Sequence, residues 1–212
     1  MNKIKPLILL LCACFFLAAC DKALVRADRT IGLIQEDITT ILSDLNEIQN
    51  QEKNLQSDFE QDLAQNNLEL FNTNDGKVAQ NVQARQKQLD DINKKRQHLT
   101  EMLKELTQLK DKKELPTEQL QQIYDKVTAF DQDLAVYVGD YATNLNLEST
   151  SFKSIANPES SYTSFFDVLK NVNTLSINNY IHLDKVIPHF EKLNADLVNL
   201  KVNLVKQQET KK

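Results

Sequence analysis

The sequence has few of the residues that make tight turns. It contains three glycines, four prolines and no tryptophan in 212 residues. Sheet proteins need a turn after every short strand, and glycine and proline supply many of those turns. This scarcity argues against a β-sandwich or barrel, and the frequent Leu, Gln, Lys and Glu favour long helices.

An excess of basic residues is also absent. Two of the 25 basic residues and none of the 30 acidic ones precede Cys20, so a chain cut there carries a net charge of −7 with its histidines neutral. Nucleic-acid binding depends on a basic surface that neutralises phosphates. We therefore expect no nucleic-acid partner.

The first 20 residues have the features of a secretory signal. Two lysines form a basic start, residues 6–17 form an apolar run, and two alanines precede a cysteine. The run is shorter than the ~20 residues of a membrane-spanning helix. The segment Leu17-Ala18-Ala19-Cys20 resembles the bacterial lipobox, which implies cleavage between Ala19 and Cys20 and lipidation of Cys20 with acyl chains such as palmitate.

Lipidation of Cys20 predicts a location. Two acyl chains hold a protein stably on a membrane, whereas one chain binds only marginally. We expect a lipid-anchored protein on the extracytoplasmic face of the cell membrane. An uncut membrane helix is the alternative, and Asp21 also resembles the inner-membrane retention signal of Gram-negative lipoproteins.

Cysteine is missing after the anchor. Cys12 and Cys14 leave with the signal, and Cys20 would be acylated. The mature chain then has no disulfide, no cysteine-ligated zinc and no cysteine nucleophile.

Apolar residues recur at steps of three and four along four segments, which is typical of amphipathic helices. The first helix is predicted from about Leu24 to Leu70, before a turn at 72–76. The second ends at Leu115-Pro116-Thr117, and Asn157-Pro158 is expected to begin the fourth. Pro188 predicts a kink in that last helix.

These segments predict an all-α fold, an elongated antiparallel up-and-down four-helix bundle with coiled-coil-like packing. The acidic first helix and the basic second helix favour each other as neighbours. The predicted organisation is a signal peptide over 1–19, a lipidated N-terminus and tether over 20–30, a bundle over 31–206 and a polar tail over 207–212.

The chain resembles the YkyA-like family of putative cell-wall-binding lipoproteins of Gram-positive bacteria. The matching features are the lipobox ending at Cys20, the acidic first helix, the Lys-rich second helix around Lys94-Lys95-Arg96, and the break at 115–117. The resemblance implies an extended four-helix bundle with a role at the cell wall. It brings no catalytic motif, so Cys20 is the one residue to which it assigns a role.

The histidines and carboxylates do not form a recognisable catalytic or metal site. His182 and His189 are seven residues apart, whereas helical metal sites favour a spacing of four, and His98 lies on another helix. Asp90-Asp91 and the pair Asp131 and Asp133 do not share helix faces. We expect boundary histidines, solvated carboxylates, no metal and no cofactor.

Arg85 and Arg96 occupy positions where the second stripe expects apolar residues. We expect their aliphatic stems to pack at the edge of the stripe while their guanidinium groups remain solvated. The alternative is that the two arginines form a ligand-binding pair. The stripes indicate no buried polar cluster, which an enzyme would need. We therefore predict that the protein is not an enzyme.

Two further surfaces are candidates for binding. Lys94-Lys95-Arg96 and the lysines at 110, 112 and 113 could contact anionic wall polymer or headgroups, or pair with the acidic first helix. The aromatic residues concentrate in the C-terminal half and serve either packing or a groove for glycan or peptide. They are Tyr124, Tyr137, Tyr141, Tyr162, Tyr180, Phe165 and Phe166.

The sequence thus predicts a non-enzymatic surface lipoprotein. Its partners would be the membrane, through Cys20, and cell-wall polymer or an envelope protein, for which it would act as a helical scaffold. The alternative is a ligand- or peptide-binding module that uses the aromatic-rich C-terminal half.

Overall fold

The computed structural model describes residues 23–157, 159, 161 and 163–210 with their side chains, and residues 4–22 and 162 by their backbone. Within these residues the chain forms four α-helices and no strand. The helices are α1 (Ile4–Ala64), α2 (Lys77–Leu109), α3 (Thr117–Lys153) and α4 (Tyr162–Glu209). The prediction of an all-α helical bundle is confirmed.

The chain divides into two compact units, and all four helices contribute a segment to each of them. Unit 1 comprises Met1–Asp37, His98–Ala129 and Glu191–Lys212. Unit 2 comprises Ile38–Gln97 and Phe130–Phe190.

Unit 1 has an aliphatic core. Its α3 and α4 segments run antiparallel: Asn203 donates to Gln119 at 2.8 Å, while Lys126, further along α3, pairs with Asp196, which precedes Asn203 on α4. The core side chains come from all four segments at heptad-like spacing, which buries one stripe of each helix. They include Leu24, Ile31, Ile34, Leu99, Leu106, Leu120, Ile123, Val127, Leu193, Leu197, Leu200 and Leu204.

Unit 2 has an aromatic core. The rings of Phe59, Phe71 and Phe152 pack together, with centroids 5.4–6.5 Å apart. Phe71 belongs to a short 3₁₀ segment (Leu68–Phe71), which packs against a second one (Ser154–Ala156). The two connections between helices in unit 2 therefore close the end of its core.

The first helix ends earlier than predicted, at Ala64 rather than near Leu70. Asn66 has a φ of 53°, a left-handed conformation that asparagine tolerates at helix ends. The side chain of Asn67 then accepts a hydrogen bond from the Glu69 N–H at 3.2 Å and caps the 3₁₀ segment. Residues 65–67 thus stop the helix before the apolar pattern ends.

The start of α2 is capped from another helix. Asp62 of α1 accepts from the backbone N–H groups of Lys77 and Val78 at 2.8 and 2.9 Å. Its carboxylate satisfies two of the free N–H groups at the helix start. A Cβ atom at Gly76 would lie 2.6 Å from the Leu70 carbonyl oxygen, so this close approach requires glycine.

The other two predicted boundaries had different outcomes. The predicted start of the third helix at Leu115-Pro116-Thr117 is confirmed, because α3 begins at Thr117, whereas α2 ends earlier than predicted, at Leu109. The predicted start of α4 at Asn157 is wrong, and Pro158 lies outside the described residues. Asn157 instead accepts from the Glu159 N–H at 3.1 Å, and Ser161 and Ser164 cap the true start reciprocally.

Two ends of the chain bear on the predicted domain boundaries. Ala23, Leu24 and Ala27 are buried in unit 1, within the stretch predicted as a tether. Gln208 donates to the Leu24 carbonyl oxygen at 3.4 Å, and α4 continues to Glu209. The boundaries at residues 19, 30 and 206 remain predictions.

Candidate functional site

A buried polar cluster crosses the core of unit 2, and Arg85 of α2 is its centre. The Arg85 side chain is fully buried. Its Nη1 atom donates to Glu148 Oε2 at 3.1 Å, and its Nη2 atom pairs with the other oxygen of Glu148 on α3. Its Nε atom donates to Asn81 Oδ1 at 2.8 Å. The two parallel bonds between Arg85 and Glu148 fix both side chains in one geometry.

Tyr141 of α3 extends the cluster to α1. Its hydroxyl accepts from Arg85 Nη1 at 3.2 Å and donates to Glu52 Oε1 at 2.9 Å. Burial raises the pKa of Tyr141 well above its usual value, so the hydroxyl keeps its proton and stays a donor. Although burial opposes it, the neighbouring Tyr141 and Glu148 raise the pKa of Arg85, which remains charged.

Asparagines complete the cluster. Asn81 Nδ2 donates to the Gln51 carbonyl at 2.7 Å and to Asp58 Oδ2 at 2.8 Å, both on α1. On α4, the buried Asn179 accepts from Asn144 Nδ2 at 2.7 Å. All four helices of unit 2 therefore supply a polar side chain at this level.

Glu52 differs from Arg85, Glu148 and Tyr141 because it also lines a groove on the surface of unit 2. Burial is the main cause that raises the pKa of Glu52. Hydrogen bonds from Tyr141 and Asn179 lower this pKa, as does the charge of Arg85, but their effect is smaller. The pKa of the exposed Tyr180 is raised by burial and then by the charge of Glu52, which is consistent with a phenol close to that carboxylate.

The groove lies between α1 and α4, with α3 behind it. Its volume is about 450 Å³, within the usual range of small-molecule sites. Phe59, Phe152 and Val172 form buried apolar walls, and Leu169 lies on the exposed side. The remaining lining residues are Glu52, Leu55, Gln56, Glu60, Asn173 and Ser176.

This arrangement places groups next to the groove that can contact a ligand. Among the acidic residues of the cluster, Glu52 is the one that lines the groove, whereas both oxygens of Glu148 are occupied by Arg85. The groove offers apolar walls, amide and hydroxyl groups at the rim, and carboxylates as acceptors. Such a surface can hold an apolar ligand that carries hydrogen-bond donors.

The expectation for Arg85 is wrong. Its guanidinium group is buried and paired rather than wet, so the prediction that no polar cluster lies in the core is wrong as well. Arg96 is half-buried and pairs with Asp131 of α3 at 2.8 Å. The two arginines have separate partners and do not form one ligand-binding pair.

Each histidine pairs with an aspartate on a neighbouring helix. His98 pairs with Asp37 in unit 1. In unit 2, His182 lies 3.1 Å from Asp140, and His189 lies 2.8 Å from Asp133. The histidines are half-buried, as expected for boundary positions. Among the described residues, no group of three or more His, Asp, Glu and Cys side chains could hold a metal ion.

The basic segment of α2 is engaged by acids. Lys94 pairs with Asp91 on its own helix at 2.7 Å, and Arg96 with Asp131. Burial is the main cause that raises the pKa of Asp44 on α1, and the nearby charge of Lys95 lowers this pKa by a smaller amount. Lys110, with the lysines at 112 and 113, is exposed where α2 passes to α3 in unit 1. Lys94 and Arg96 are therefore paired with carboxylates, but these lie on α2 and α3 rather than on the predicted partner, the acidic first helix.

The predicted aromatic residues fall into three groups. Tyr137 and Tyr141 are buried in unit 2, and Tyr124 is half-buried in unit 1. Phe166 and Tyr180 are exposed on α4, close in sequence to the groove residues of that helix. Phe165 packs at the edge of the aromatic core, and the side chain of Tyr162 lies outside the described residues.

The sequence contains a signal of this cluster, namely polar residues at apolar stripe positions. Glu52 interrupts the first apolar stripe, Arg85 interrupts the second, and Asn179 lies in a polar patch of the fourth. Glu148 takes a stripe position of the third helix. In antiparallel helices, polar interruptions at matching levels meet in the core, so the four could have been read together.

The anchor prediction lies outside this site. The side chains of Ala19 and Cys20 are not among those that the structure describes, so cleavage and lipidation there remain predictions. In the described part of the chain, no helix is both long enough and apolar enough to cross a membrane.

Comparisons with known proteins give one result. No curated protein and no solved structure matches the chain. The model of the YkyA family, described as putative cell-wall binding lipoprotein, matches residues 29–207, which include residues of both units. A lipoprotein family indicates a surface, membrane-associated location. The chain belongs to the YkyA family of putative cell-wall binding lipoproteins.

Proposed function

We propose that this protein is a non-enzymatic surface lipoprotein, anchored through Cys20, that binds cell-wall peptidoglycan in the groove of unit 2. The observation that carries the proposal is the groove itself, with a volume of about 450 Å³ and a partly apolar lining. Phe166 and Tyr180 on α4 add exposed rings of the kind that pack against sugars and peptides.

The charges of the groove favour peptidoglycan over the anionic polymers of the wall. Glu52 and Glu60 are among its lining residues, and none of those residues is a lysine or arginine. A polyphosphate chain would be repelled there. The basic segment at 94–96 pairs with carboxylates of the protein, which reduces its attraction for such a chain.

The test is a pull-down of residues 21–212 on purified cell wall. The wall is used with and without its anionic polymers, at low and high salt. We expect binding that survives both polymer removal and high salt, because the groove contacts are short-range and partly apolar. Binding that disappears with the polymers would instead assign the contact to basic surface residues.

A pair of matched variants locates the contact. Leu169 lines the groove and is 39% exposed, whereas Val198 is 43% exposed on the α4 segment of unit 1. Neither is buried, so Leu169→Ser and Val198→Ser should both fold. We expect Leu169→Ser to weaken wall binding several-fold and Val198→Ser to leave it unchanged.

The anchor needs its own test. A variant that lacks residues 1–20 should stay out of the membrane fraction, and mass spectrometry of the membrane-bound wild type should find an acylated N-terminal Cys20. Retention of the variant in the membrane fraction would contradict the lipid anchor.

A protein scaffold is the second candidate function. On α4 of unit 2, Ile177 and Ile181 are each more than half exposed and lie one helical turn apart. Exposed apolar side chains on one face suit a helix or peptide of an envelope protein. Loss of a cross-linked partner in Ile181→Ser, with wall binding intact, would support this function.

A further inference from the structure

We infer that the groove of unit 2 recognises a primary ammonium group on an apolar arm, as in the diamino-acid side chain of a wall peptide, and that Glu52 is its acceptor. The inference rests on the proposed function, because it names the ligand chemistry of the same groove.

The charge balance of the buried cluster is the first argument. Arg85 is its cation, and its donors are taken by Glu148, Asn81 and Tyr141. Glu52 receives hydrogen bonds from Tyr141, at 2.9 Å, and from Asn179. In the described part of the chain, no lysine or arginine forms an ion pair with Glu52. The cluster contains the carboxylates of Glu52, Asp58 and Glu148 and the single cation Arg85, so it has two more carboxylates than cations.

The position of that carboxylate is the second argument. Glu52 is one of the residues that line the groove, so its charge lies next to the space that a ligand would enter. A carboxylate removed from water interacts strongly with a cation that enters the same environment. An ammonium group there would compensate Glu52 without displacing Arg85 from Glu148.

The apolar walls of the groove indicate the chemistry of the rest of the ligand. Leu55 and Phe59 follow Glu52 on α1, one and two turns along the helix, and Val172 of α4 adds a buried apolar surface. A short hydrocarbon arm can pack on these side chains while its ammonium reaches Glu52. Gln56 and Asn173 provide amides for the peptide backbone that carries the arm.

Other ligand classes fit the groove less well. A phosphate or carboxylate would meet Glu52 and Glu60 with no basic side chain among the lining residues. A neutral sugar could bond the rim amides but would leave the charge of Glu52 uncompensated in a drier environment, which is unfavourable. An amine is therefore the class that uses every feature of the groove.

The experiment compares two probes on the intact mature chain by isothermal titration calorimetry. The first probe is the set of disaccharide-peptide fragments released by a muramidase from lysine-containing peptidoglycan. The second is the same set after acetylation of the lysine Nε atom. A charge-assisted bond to a partly buried carboxylate predicts that acetylation weakens binding about tenfold or more.

Variants of two glutamates assign the acceptor. Glu52→Gln keeps an acceptor for Tyr141 and removes the charge, so we expect it to weaken the first probe about tenfold and to abolish the effect of acetylation. Glu47→Gln removes the same charge outside the groove, where Glu47 accepts from Gln51 at 2.8 Å. Its affinity should stay within about twofold of wild type.

The outcomes separate the two proposals. If both probes bind equally well and Leu169→Ser weakens both, the groove is the wall site and the amine inference is wrong. If neither probe binds to the wild type, the proposed function and the inference both fail. If Glu52→Gln does not fold, the two probes on the wild type still decide the amine inference.

Discussion

Unit 1 and unit 2 receive segments of the same four helices and bury different chemistry. The described core of unit 1 is built from leucine, isoleucine, valine and alanine, and its one described aromatic side chain, Tyr124, is half-buried. Unit 2 buries phenylalanines and tyrosines around Arg85 and Glu148. An aliphatic core follows from helix packing alone, whereas a buried ion pair needs a further reason.

The polar groups of the two units also differ in their reach. In unit 1, the buried Thr30 donates to the Arg26 carbonyl one turn earlier at 2.9 Å, and the buried Asp37 of α1 reaches one other helix, α2, through the half-buried His98. In unit 2, Arg85 bonds to α3 through Glu148 and, through Tyr141, is linked to Glu52 of α1. Buried ion pairs seldom add net stability over well-packed apolar side chains, so the stability of the bundle does not by itself account for the Arg85–Glu148 pair. This difference is why we place the binding site in unit 2.

The largest predicted effect comes from breaking the ion pair. Arg85→Met leaves Glu148 buried without a cation, which should lower the free energy of unfolding by about 3–5 kcal/mol. Urea denaturation of the variant measures this loss.

The double variant Arg85→Met/Glu148→Met is the control for that loss. It removes both charges and should recover much of the stability. A single-variant loss below about 1 kcal/mol would mean that the pair behaves like an exposed one, and the contrast between the units would disappear.

The sequence predicted unit 1 better than unit 2. Apolar periodicity predicts which stripe of each helix is buried, and in unit 1 that stripe is nearly the whole core. In unit 2 the same rule interprets Arg85 as an edge residue, because periodicity along one helix gives no information about what lies opposite. Only the pairing of Glu52, Arg85 and Glu148 across helices explains their burial.

The helix ends show the same limit. Proline and threonine at 116–117 act locally, so the start of α3 was predictable. The start of α2 depends on Asp62, which lies 15 residues before Lys77 and reaches it through the tertiary fold. The groove likewise combines α1, α3 and α4, and no single segment predicts it.

A second prediction concerns this remote cap. Asp62→Ala removes the acceptor of two N–H groups and should cost about 1–2 kcal/mol of unfolding free energy. Thr117→Ala, at the start of α3 in unit 1, is the comparison and should cost less, because among the described residues no N–H group donates to the Thr117 hydroxyl. Thermal denaturation of both variants tests this difference, and equal losses would contradict it.

A third prediction uses the raised pKa of Glu52. Because burial raises this pKa above the ordinary 4.5, the folded state binds the proton more tightly than the unfolded state. That contribution to stability is complete below about pH 4.5 and is lost as the pH rises through the pKa of the folded state. Wild type should therefore lose stability relative to Glu52→Gln between pH 4 and pH 7.

Urea titrations of both proteins at several pH values measure this difference. Glu47→Gln serves as the control and should follow wild type. A constant difference between wild type and Glu52→Gln across the range would show that Glu52 is not desolvated. The groove would then lack the charge that the amine inference requires.

The smallest predicted effect comes from the surface of unit 1. Arg26 of α1 pairs with Glu105 of α2 at 2.6 Å, but its side chain is half exposed. Water and salt screen such a pair, so Arg26→Met should cost no more than about 1 kcal/mol, and less at high salt. Urea denaturation at two salt concentrations measures both values. A loss as large as that of Arg85→Met would show that unit 1 also depends on a specific ion pair, and its aliphatic core could no longer be regarded as sufficient to hold it together.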